Sequence, residues 1–135
     1  MVKRRRGART GRPRSRHQPF GALVERALAA IPEPFASALD EVAVVVADEP
    51  TVEQLRENEI PPDETLYGLY EGVPRTEWGA DWATIPNRIT LFRMPLEADF
   101  ADPDDLADEV WVTVIHELAH HLGIDDGRLH ELGID

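Results

Sequence analysis

Residues 116–126 read H-E-L-A-H-H-L-G-I-D-D, and their types and spacing are those of a metal site. On a helix, His116 and His120 lie four positions apart, about 40° around the axis, so both imidazoles project from one face. Two nitrogen donors on one rigid element suit a zinc ion. Glu117, about 100° round from His116, can reach a metal-bound water without being a ligand. Gly123 allows a left-handed helix end and a sharp turn. Asp126, three residues later, is placed to return as a third ligand, with Asp125 its nearest rival. Three protein ligands leave one zinc position open, and zinc lowers the pKa of water held there toward neutrality. Glu117 would then take the proton as the water attacks a carbonyl. The oxyanion needs one more donor, for which Tyr67, Tyr70, Arg128 and His130 are the candidates. His121, about 100° from His120, reads as a residue behind the ligands or at the surface.

The element carrying these residues has its own start and stop signals. Asp102 suits an N-cap, Pro103 the first helical position, and Asp104 and Asp105 the positive end of the helix. Leu106, Val110, Val114 and Leu118, with Trp111, Ile115 and Leu122, form an apolar face opposite the histidines. Thr113 falls on the histidine side, one turn earlier, as a small polar wall residue.

A chain of 135 residues with 42% hydrophobic content supports one domain with a modest core. Cysteine is absent, which excludes disulfides, thiolate zinc sites and cysteine nucleophiles. No apolar run reaches membrane-spanning length, and the basic start is not followed by a signal-type hydrophobic stretch, because Glu25 and Arg26 interrupt it. The expectation is a cytoplasmic protein without membrane contact.

Charge is unevenly spread. Residues 1–16 hold eight Lys and Arg and no acid, whereas residues 17–135 carry a net charge of −20. A tail so rich in Arg, Gly and Pro is expected to be disordered over residues 1–18, with the folded domain spanning 19–135. Residues 1–16 are also candidates for weak nucleic-acid contact.

Further elements follow from periodicity. Pro19 to Ile31 has helical apolar spacing and stops at Pro32, with one more turn expected at Phe35 to Leu39. Val42 to Ala47 is a β-branched run expected to be a strand buried on both faces. Val52 to Arg56 offers a helical turn, and Thr65 to Val73 a strand interrupted by glycine. Arg75 to Asn87, with Trp78 and Trp82, reads as a loop or hairpin connection. Ile89 to Met94 reads as a third strand stopped by Pro95. The result is an α+β fold: a small three-stranded mixed sheet packed on an N-terminal helix and a C-terminal metal-binding helix.

The segments L-Y-G-L-Y-E-G-V-P-R-T-E at 66–77, P-N-R-I-T-L-F-R-M-P-L-E at 86–97 and the motif at 116–126 resemble the small bacterial zincin-like metallopeptidase family, or minimal zincins. The resemblance covers roughly residues 19–132. It implies a minimal zincin-like fold, zinc on His116, His120 and Asp126, Glu117 as general base, and a peptide or protein substrate. The larger metzincins carry a methionine turn downstream of their ligands. Met1 and Met94 both lie upstream here, so the expectation is a cleft without that lower half.

Two other readings use the same residues. One is a zinc-dependent endoribonuclease of the kind that carries H-G-x-x-H-x-x-G-x-D-H. Glu117 and the acidic body would repel RNA phosphate and argue against it. The other is a non-catalytic metal-binding interaction module.

Overall fold

The computed structural model describes residues 2–6, 19–72 and 87–134. Strand β1 is Val2–Arg6, helix α1 Phe20–Ala29 and helix α2 Phe35–Ala38, which runs into a 3-10 turn at Leu39–Glu41. Then come β2 Ala43–Ala47, α3 Val52–Glu57, β3 Glu64–Glu71 and β4 Arg88–Phe92. The chain ends in α4 Arg93–Asp99, α5 Pro103–Leu122 and α6 Asp126–Glu131.

Local chemistry sets most of these boundaries. Helix α1 buries Phe20, Leu23, Val24 and Ala27, the repeat of one helical face. Helix α3 is short but closed by a reciprocal cap: Thr51 Oγ1 accepts from Gln54 N, and Gln54 Oε1 accepts from Thr51 N. Asp102 caps α5 by accepting from Asp104 N at 2.9 Å, with Pro103 at the first turn, where a missing N–H costs nothing. Strand β4 ends at Phe92, two residues earlier than its apolar run suggests. Pro95 does not stop a strand but sits in the first turn of α4. Arg93 anchors that helix: the hydrogen bonds its guanidinium donates to Asp48 first, then to Glu97, hold its pKa above the ordinary value.

The sheet has the order β1-β3-β4-β2, with β2 and β4 parallel and the other pairs antiparallel. The three expected strands form the mixed sheet, and a fourth extends it. Residues 2–6, expected to be disordered with the rest of the basic tail, pair with the outer edge of β3. That edge offers a row of unpaired N–H and C=O groups to any extended segment within reach, whatever its side chains. Residues 7–18 of the expected tail lie outside the described residues, as do Trp78 and Trp82 of the expected 75–87 connection.

A bulge in β3 matters for the site. Lys3 lies opposite Gly68 and Arg4 opposite Leu66, so Tyr67 is the extra residue. The inserted residue resets the two-residue alternation. Tyr67 and Tyr70, three apart, therefore both join the main core, while Leu66 and Leu69 join Phe92 in a second cluster. Leu55 and Ile60, in and just after α3, cover that second cluster. On the main face α5 packs against the sheet and α1, with Leu106, Val110, Val114, Ile115 and Leu118 fully buried. Each such side chain stabilises the fold by about 1.5–3 kcal/mol relative to exposure.

Strand β2 departs from expectation. It is the other edge of the sheet, and Val45 and Val46 are 39% and 48% exposed rather than buried on both faces. No helix among the described residues is long and apolar enough to cross a membrane.

Candidate metal centre

Helix α5 delivers His116, Glu117, His120 and His121 in its last two turns. It ends at Gly123, whose φ of 76° is the left-handed conformation that glycine adopts without strain. Ile124 N–H then closes on the Ala119 carbonyl at 2.7 Å, turning the chain back toward the histidines. Asp125 and Asp126 follow at once, and here the structure separates them. Asp125 accepts from Arg128 N at 2.8 Å and is the N-cap of α6. Asp126 is the first residue of that helix, with its Oδ1 4.0 Å from His116 Nδ1. His120, Gly123, Ile124, Asp125 and Asp126 line a cavity of about 390 Å³.

Glu117 is fully buried between α5 and β3. Its Oε1 accepts from Tyr70 N at 2.8 Å, a bond that sets the carboxylate's direction through the backbone of β3. Its Oε2 is buried and makes no hydrogen bond, and the same holds for His116 Nε2. Both atoms belong to adjacent residues in the last two turns of α5.

The donor set suits a metal ion. Among the described residues, no three His, Asp or Glu side chains converge closely enough to enclose one. In a tetrahedral zinc site with bonds of about 2.1 Å, ligand atoms lie about 3.4 Å apart. Asp126 Oδ1 lies 4.0 Å from His116 Nδ1, the ring nitrogen other than the buried Nε2, so His116 and Asp126 are neighbours without yet forming a ligand pair.

The proposed helpers sort differently. Tyr70 presents its ring to His120, with centroids 5.1 Å apart, and its hydroxyl to buried His121 Nδ1 at 3.0 Å. That oxygen also lies 3.0 Å from the side-chain amide of Asn87. His121 Nε2 is 2.9 Å from Glu41 Oε1, and because a carboxylate only accepts, Nε2 carries the proton. His121 therefore lies behind the cleft, linking Tyr70 to Glu41. Tyr67 donates to buried Asp99 at 2.6 Å and stacks edge-on against Phe100, so its hydroxyl is spent away from the histidines. Arg128 is exposed and pairs with Glu131 at 3.0 Å. His130 is exposed on α6, one turn beyond Asp126 and on the same face.

Glu41, Asn87 and Asp99 were not legible as site neighbours. Each reaches its partner across 17 to 80 residues of sequence, with no local spacing to reveal it. Thr113 is fully buried, donating to Glu109 at 3.1 Å while its methyl lies over Gly68 of β3. The glycine expected only to interrupt the strand is what lets α5 come this close.

A family model described as zincin-like metallopeptidase matches residues 39–134, which span everything from the turn after α2 to the end of α6. A search of curated proteins returned no match.

Proposed function

Because the chain belongs to the zincin-like metallopeptidase family, whose members are zinc hydrolases, we propose that it cleaves peptide bonds with His116, His120 and Asp126 as zinc ligands and Glu117 as general base. Bound zinc would supply Lewis acidity, lowering the pKa of a water and polarising the scissile carbonyl.

The carboxylate of Glu117 carries the reading. One oxygen is fixed by Tyr70 N–H, and the other is buried without a hydrogen bond on the helix turn that bears both histidines. A carboxylate so held can take a proton from water and deliver it to the leaving amine without changing rotamer. Asp126 is preferred to Asp125 because Asp125 already spends an oxygen on the α6 cap. The Tyr70 ring, tilted 49° to the His120 imidazole with centroids 5.1 Å apart, helps to orient it. Of the oxyanion-donor candidates, the hydroxyls of Tyr67 and Tyr70 and the Arg128 guanidinium are engaged elsewhere. A buried carboxylate at this point would repel the phosphate of RNA, which disfavours a ribonuclease.

Glu117→Gln tests the reading. Zinc stoichiometry by elemental analysis should stay at about one per chain, while hydrolysis of a quenched peptide library should fall roughly 100-fold or more. Undiminished turnover would place the base elsewhere. Zinc binding without hydrolysis in the parent chain would leave a metal-binding module.

A further inference from the structure

Two adjacent histidines end α5 in opposite surroundings. His120 lines the same cavity as Asp126, whereas His121 is fully buried. Both His121 ring nitrogens meet elements distant in the chain: Nε2 lies 2.9 Å from Glu41, in the turn before β2, and Nδ1 lies 3.0 Å from the Tyr70 hydroxyl, on β3. Glu41 only accepts, so the imidazole proton sits on Nε2 and Nδ1 is left as an acceptor. The Tyr70 hydroxyl has one proton, with His121 Nδ1 and Asn87 Oδ1 both 3.0 Å away. The proton goes to Nδ1, and a half turn of the Asn87 amide presents its NH2 to the phenol oxygen. With the other tautomer of His121 every bond would run the opposite way, and Nε2 would face the Glu41 carboxylate as acceptor against acceptor. The carboxylate at 41 therefore sets the direction of the whole series. The series also closes on itself, because Ala43 N, two residues after Glu41, donates to the Asn87 carbonyl at 3.0 Å. Glu41, His121, Tyr70 and Asn87 thus tie the last turn of α5 to the corner where β2 and β4 begin.

Tyr70 is where this network meets the metal centre: its ring lies beside His120, its backbone N–H holds Glu117 and its hydroxyl holds His121. Packing alone does not call for a histidine at 121, since hydrophobic groups of similar volume often replace buried polar pairs at no loss of stability. What buried hydrogen bonds of defined direction add is a single orientation. We propose that Glu41 is a positioning residue of the metal centre: by accepting the Nε2 proton it fixes the tautomer of His121, and through His121 and Tyr70 it fixes the seat of the His120 ring. The role of His120 as a zinc ligand rests on the peptidase reading above; the direction of the network and its hold on the His120 ring do not. Groups behind metal ligands change metal affinity about 10–100-fold when mutated. Glu41 acts through two further side chains, so the lower end of that range, about tenfold, is expected.

Three variants of the full chain test this. Glu41→Gln removes the charge but keeps an oxygen that accepts from Nε2–H. Glu41→Leu removes the acceptor at a side chain that is 28% exposed, a change the fold tolerates. His121→Phe fills the buried space with neither nitrogen. Nitrogen-15 imidazole spectra of the metal-free chain should show the His121 proton on Nε2 in the parent and in Glu41→Gln, and transferred at least in part to Nδ1 in Glu41→Leu. The His120 ring-proton shifts, set by shielding from the Tyr70 ring, should hold in Glu41→Gln and move in Glu41→Leu and His121→Phe. Zinc affinity, by competition with a chromogenic chelator, should stay within about threefold in Glu41→Gln and fall about tenfold in the other two. Glu41→Leu should add nothing further to His121→Phe, because both break one route. A parent chain with the His121 proton on Nδ1, or unmoved His120 shifts in Glu41→Leu, overturns the proposal. So does a Glu41→Gln variant as weak as Glu41→Leu, which would make the effect one of charge, or a loss of Tm with zinc affinity intact, the signature of packing alone. A parent chain that binds no zinc would remove the ligand reading, and the imidazole spectra would still decide whether Glu41 seats His120.

Discussion

Gly68→Ala is the sharpest test of how α5 is held against the sheet. A Cβ built on Gly68 would lie 2.6 Å from Thr113 Cγ2 and 3.4 Å from the Thr90 carbonyl oxygen. Ordinary carbon–carbon contact is about 3.5–4.0 Å, so helix and strand must part by about 1 Å at this point. Overpacking of that kind costs about 1–3 kcal/mol. Loss of glycine's freedom in the unfolded chain returns about 0.4–1 kcal/mol. The net expectation is a destabilisation of about 1–2 kcal/mol, a fall of roughly 4–8 °C in Tm for a domain of this size. Thr113→Ser removes the offending methyl and keeps the hydroxyl that donates to Glu109. The double variant Gly68→Ala/Thr113→Ser should therefore recover at least half of the loss in a double-mutant cycle read by urea unfolding. The same separation moves Glu117 relative to Tyr70 N–H, so Gly68→Ala should also weaken zinc binding at a temperature where it stays folded. A neutral Gly68→Ala, or a Thr113→Ser that fails to rescue it, would show that this contact does not set the approach of α5.

Asp125→Ala and Asp126→Asn should separate two roles by calorimetry and zinc titration: Asp125→Ala should cost about 1 kcal/mol as a lost cap with zinc affinity nearly kept, and Asp126→Asn should lower zinc affinity at least tenfold with little change in the metal-free Tm. The reverse pattern would exchange the two assignments. Tyr70→Phe should cost about 1–2 kcal/mol from its hydroxyl bonds yet leave hydrolysis within about threefold, since the Glu117 bond is to the backbone; a 100-fold fall in kcat would instead make the hydroxyl an oxyanion donor. Tyr67→Phe should destabilise by about 1–2 kcal/mol through loss of the Asp99 bond, with zinc stoichiometry unchanged, as measured by chemical unfolding and elemental analysis.

Helix α5 was legible because its information is local. A cap, a proline, an i, i+4 pair and a terminal glycine all lie within one helix, and each carries its own physical reason. The fates of Tyr67 and Tyr70 were not legible, because the bulge that turns both toward the main core arises from pairing with a distant strand. Strand β2 was misjudged for a related reason. A run of β-branched residues suits a pleated surface equally well in the middle of a sheet or at its edge, and only the strand order decides. The basic segment was set aside on composition. Composition tests whether a segment can build a core, and β1 needs only a neighbour's unpaired backbone.

The bond from Tyr70 N–H to Glu117 comes from the main chain, and mutation acts on side chains. Nineteen of the twenty residue types would offer that same donor at position 70; proline alone would remove it. The orientation of the key carboxylate is thus insulated from drift at the residue that enforces it. The ring and hydroxyl of position 70 can be exchanged over generations, at some expense in stability, without re-aiming Glu117.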